Sequence, residues 1–183
     1  MSRSVMIDQG LPSNLRSIRL LYNSPSQCFI ASTSALQAEG MADELFYRHR
    51  GVTRYTRISA SKGDVSICNP FSCANAPLVM FNFMSARADI PGAYDWASLS
   101  VFDLVSHEVR DVISDATLPI PAGYERGWIA SLISVDAEGK TAVVTAGFER
   151  LVSGGAVVDY AAFELDCINL KLSKIADLPN IFA

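Results

Sequence analysis

His49 and His107 are the two imidazoles of this chain, and neither stands in a motif that would make it catalytic. An imidazole changes charge near neutrality, so it can act as a base once a nucleophile and an orienting acid meet it in space. His107 follows Ser106 in an expected hairpin tip, and His49 ends an expected strand; both positions suit solvated rings. No G-x-S-x-G elbow is present to present a nucleophile. The carboxylates Asp89, Asp95, Asp115 and Glu125 fall in expected loops, where they could converge on a cation, although loop Asp residues commonly serve to close turns. No catalytic residue, metal ligand or cofactor is therefore assigned.

Cys28, Cys68, Cys73 and Cys167 read as structural thiols. Cys68 and Cys73 are the only close pair, and their spacing is not the C-x2-C of zinc ribbons. Arg48, His49, Arg50, Arg54 and Arg57 crowd one segment. In a hairpin some of them would lie side by side, giving either a small anion site or a charged sheet edge that discourages stray strand pairing.

The elements that must position these groups are strands. Short runs rich in Val, Ile, Phe, Tyr and Thr recur between clusters of Gly, Pro, Asn, Asp and Ser, which is the signal of strands and hairpins rather than of a helical period. The clearest hairpin is Ala130 to Thr145, with a Gly-containing turn over Asp136 to Lys140. Internal alignment places Asp103-x4-Glu108-Val109 over Asp166-x4-Lys171-Leu172 and over His49-x4-Arg54-Tyr55. Four strands fit around each anchor. The first set is Leu15–Tyr22, Cys28–Ser34, Asp43–His49 and Thr53–Ile58; the second is Val65–Asn69, Leu78–Ser85, Ala97–Leu104 and Glu108–Ser114; the third is Trp128–Val135, Thr141–Phe148, Val157–Leu165 and Leu170–Ile175.

Residues 1–183 thus read as a single all-β domain of three four-stranded antiparallel meander units, at approximately 14–60, 64–114 and 126–177. A meander of this kind cannot hide both of its apolar faces alone, so the units must stack face to face. The composition agrees: the chain is 50% hydrophobic and 19% charged, which suits sheets buried on both sides.

Ser134-Val-Asp-Ala-Glu-Gly-Lys-Thr-Ala-Val-Val resembles the first hairpin of blades in TolB-like and related six-bladed β-propellers, and Val101-Phe-Asp-Leu with Val109 resembles their third-to-fourth strand hairpin. The turn motif occurs in the third unit only, with Ala-Glu-Gly in place of Asp-Gly. The resemblance implies a partial propeller. Propellers close with about 4–8 blades, so three units imply either a half-ring that a homodimer would complete by two-fold symmetry or a stack whose ends are capped by local features; the alternative is a twisted sandwich or irregular β-fold in which the repeats are coincidental.

In that arrangement the longest loops share one face. Arg87, Asp89, Tyr94, Asp95 and Trp96 come from the loop before the third strand of the second unit; Tyr124, Glu125 and Arg126 come from the loop between the second and third units. Long loops on a rigid β-scaffold concentrate binding residues, and aromatic and Arg side chains are enriched at interfaces. The same residues also suit a purely structural role, with aromatics packed over the sheet edge and charges in water.

A net charge of −4 gives no footprint for a phosphate backbone, so nucleic acid is not an expected partner. No apolar run reaches the ~18–20 residues that span a bilayer, and Met1 to Gly10 has no continuous apolar core of a signal peptide. The expectation is a cytoplasmic, non-enzymatic module that binds a protein partner or itself, with an inhibitor or immunity-type role among the options. The competing expectation is a carbohydrate-active or metal-dependent propeller enzyme, a lyase or hydrolase.

Overall fold

The computed structural model describes residues 17–23, 28–37, 40–49, 56–58, 66–86 and 94–179, and every regular element among them is a strand. In chain order these are β1 (Ser17–Asn23), β2 (Cys28–Gln37), β3 (Gly40–His49), β4 (Thr56–Ile58), β5 (Ser66–Ser72), β6 (Leu78–Ala86), β7 (Tyr94–Asp103), β8 (Val109–Ser114), β9 (Arg126–Val135), β10 (Thr141–Val152), β11 (Gly155–Asp166) and β12 (Lys171–Leu178). Two four-stranded antiparallel meanders, β5 to β8 and β9 to β12, dominate the molecule.

The remaining strands do not stand apart as the sequence reading expected. β1, β2 and β3 pair in order, β4 pairs β3, and the group continues the sheet of β5 to β8 through one residue pair, Asp43 with Ile67. The reason is an incomplete edge. β4 covers β3 only from Leu45 to Tyr47, so the backbone of Asp43 is left for β5 to meet. A bare strand edge presents unpaired donors and acceptors that readily take another strand.

Local chemistry sets the turns. Asp136 Oδ1 accepts the backbone N–H of Lys140 and Thr141 at 2.7 and 3.1 Å, and Gly139 takes a positive φ of 71°, closing the β9–β10 hairpin. Asp103 Oδ1 accepts from the N–H of Val105 and Ser106 at 2.7 and 3.1 Å, and Asp166 Oδ1 accepts from Ile168 and Asn169, both at 2.9 Å. The residue four positions after each Asp, His107 and Leu170, has a left-handed φ of 61° and 56°. These two hairpins, β7–β8 and β11–β12, are built the same way, with an Asp side chain standing in for a turn carbonyl.

β6 reads Leu78-Val-Met-Phe-Asn-Phe, an apolar run that predicts burial on both faces. Its side chains divide by alternation. Met80 points into the largest core, with Leu99 and Val101 of β7 and with Ile129, Val144, Ala146, Phe163 and Leu165 of the last meander. Val79, Phe81 and Phe83 point the other way, onto Phe102, Leu104 and Ile58 of β4, with Tyr47 of β3 packed alongside. The middle meander is thus covered on both sides. β12 is the opposite case: apart from half-buried Leu172, its side chains are exposed.

The β10–β11 hairpin is longer than the sequence suggested. The strands run to Val152 and from Gly155, paired across a two-residue turn of Ser153 and Gly154, with Gly155 at φ 133°.

Candidate interaction surface

The loop from Asp115 to Glu125 and the start of β9 lie beside the start of β7. The N–H of Asp115 donates to the carbonyl of Ala97 at 3.0 Å, and Ala97 packs with fully buried Trp128 and with Val158. Of the residues expected to form a binding face, Arg87 and Asp89 lie outside the described residues. Tyr94, Asp95 and Trp96 form the first residues of β7, whose backbones pair with β6 at Ala86 and Ser85; their side chains also lie outside the description. Tyr124, Glu125 and Arg126 are described, and each is held differently.

Tyr124 is an anchor rather than a free contact. Its ring packs on Phe148 at 5.6 Å between centroids, and its hydroxyl donates to Asp159 Oδ2 at 3.0 Å. The same oxygen accepts from Arg150 Nε at 2.8 Å. Arg150 and Asp159 are both about two-fifths exposed, so water screens the pair and little stability comes from the charges alone. The geometry still fixes the loop to the hairpin. The guanidinium hydrogen bond of Arg150, opposed by partial burial and reinforced by Tyr124, holds the Asp159 carboxyl below its ordinary value, while burial and the hydrogen bond to Asp159 raise the Tyr124 phenol.

Glu125 is exposed, and its N–H donates to the carbonyl of Glu149 at 2.8 Å, which extends the β9–β10 ladder by one step. Arg126 places its guanidinium 5.8 Å from the centre of the Trp128 ring, within cation–π range. Trp128 in turn lies across from Gly147, and Phe148 across from Gly127, so each large ring faces a glycine on the adjacent strand.

An open apolar groove of about 420 Å³ lies on the core side of the last meander. Phe148 and Phe163 line it, with Pro119, Ile120 and Pro121 from the β8–β9 loop and Leu170 to Leu172 from the β11–β12 turn. Sequence reading missed it. Pro119-Ile-Pro121 is a legible rigid segment, but its position opposite the β11–β12 turn depends on how the meanders stack.

The other chemistry-bearing residues are placed as follows. His107 packs against Tyr47 at 5.1 Å and is stacked over Phe102 at 6.5 Å between centroids, so this hairpin tip touches β3. His49 ends β3, and its side chain lies outside the description, as do those of Cys28 and Cys68 and most of the arginine-rich segment. Ser98 and Ser100 are fully buried on β7 and share Asp111 Oδ1 of β8, with Ser100 at 2.8 Å and Ser98 at 3.2 Å. No imidazole is paired with them in these contacts.

Cys73 and Cys167, neither of them in a disulfide, lie near the β9–β10 turn: Cys73 Sγ would touch a β-carbon at Gly139, and the Cys167 N–H donates to the Lys140 carbonyl at 2.8 Å. Burial pushes the Cys73 thiol up to about 12 and that of Cys167 up to about 11, which leaves both protonated and weakly nucleophilic at neutral pH. Among the described residues no group of three or more His, Cys, Asp or Glu side chains is placed to hold a metal ion. Asp115 spends its side chain on the N–H of Ala116 at 2.9 Å. No helix among the described residues is long and apolar enough to cross a membrane.

No protein-family model matches this chain, and no curated protein matches it in sequence.

Proposed function

We propose that this chain is a non-enzymatic protein-binding module, a partial β-propeller of three meanders whose main partner is a second copy of itself. The observation that carries the reading is an asymmetry of burial. The middle meander is covered on both faces, whereas β9 to β12 turn one face to the core and have the other covered at one end, where Trp128 and Val158 pack on Ala97 of β7. Strand alternation and register put Val143, Thr145, Ala162 and Leu178 on that outward face; the first three are half-exposed and Leu178 is exposed. Exposed Glu164, the register partner of Val143, lies on the same face, so a second sheet at the ~10 Å spacing of stacked sheets would meet small and apolar side chains around one carboxylate.

One further feature supports the propeller reading. The β7–β8 and β11–β12 hairpins share the Asp turn and the left-handed residue four positions on. The leading strand β5 also lies near β1 and against β9, and β9 crosses β6 and β7 as well, so the last meander stacks across the face of the middle one. Two copies related by a two-fold axis would supply six such units.

The experiment is mass determination by light scattering across a hundredfold dilution series. The expected result is a species of twice the 19.8 kDa chain mass that dissociates on dilution, and that an Ala162→Arg substitution shifts to the chain mass without changing the far-UV spectrum. A monomer at every concentration overturns the self-association.

A further inference from the structure

We draw no further inference here: the strongest candidate, the apolar groove between Pro119–Pro121 and the β11–β12 turn, carries nothing because nothing in the structure shows what covers it.

Discussion

Trp128 lies over Gly147, its register partner on the neighbouring strand, so closely that a β-carbon at 147 would stand 2.8 Å from the indole atoms Cε2 and Cζ2. The ring is fully buried and rigid, and cannot yield as the end of a flexible chain would. Gly147→Ala is therefore expected to destabilise the protein by about 1–3 kcal/mol, the usual cost of overpacking a filled core. Urea denaturation followed by tryptophan fluorescence measures it; an unchanged midpoint would show that the two strands can separate without loss.

Asn82 is fully buried, and among the described residues neither its amide nitrogen nor its amide oxygen has a hydrogen-bond partner. It pairs in register with Leu99, on the apolar side of β6. An unmade hydrogen bond on a buried group costs about 1–3 kcal/mol, whereas an apolar side chain of similar shape avoids that cost. Asn82→Leu is expected to raise the denaturation midpoint. A lower midpoint would mean that an internal water satisfies the amide.

The two sides of the middle meander should be equally sensitive to truncation. Leu99→Ala opens the core shared with the last meander, and Phe81→Ala opens the one shared with β4. Losses of about 2–5 and 3–5 kcal/mol respectively are expected from cavity formation. Ile175→Ala on exposed β12 should stay within about 0.5 kcal/mol. If Phe81→Ala proved as mild as Ile175→Ala, the contact between β6 and β4 would not exist in solution.

Acid should loosen the tie between the β8–β9 loop and the β10–β11 hairpin. The Asp159 carboxyl is held below its ordinary value of 3.8 by its hydrogen bond from Arg150, with Tyr124 assisting. A depressed folded value means the stabilisation is fully present above the unfolded value and is lost as pH falls through the folded one. Wild type should therefore lose more thermal stability than Asp159→Asn between about pH 5 and pH 2. Parallel acid melts would contradict the linkage.

Asp103 and Asp166 offer a matched pair. Both accept two backbone N–H groups in equivalent turns, and the Asp166 carboxyl is held below its ordinary range by the hydrogen bonds from Asn169 and Ile168. Replacing either by Ala should lower the melting temperature by a similar amount, with Asn substitution retaining most of the stability. A loss at one site alone would separate the two hairpins functionally.

Period-two alternation, β-branched runs and turn residues carry short-range information, so the locations of the strands and the Asp136 and Asp166 turns were legible from the residues alone. Boundaries at Gly154-Gly155 were not, because a Ser-Gly-Gly stretch ends a strand as readily as it turns one. The loop of Tyr124, Glu125 and Arg126 was singled out by composition, yet composition could not tell that Tyr124 is engaged by Asp159 and Arg150, which approach it only after the hairpin folds back.

The order of residues by itself determined that this chain forms strands and where several of them turn. Tertiary structure alone decided that Asp43 meets Ile67 and merges two groups of strands, that Trp128 fills the space over Gly147, and that a groove opens beside Phe148 and Phe163. The physical reason is range. Backbone preference and alternation act over a few residues, whereas sheet joining and face-to-face packing depend on which distant apolar surfaces leave water together.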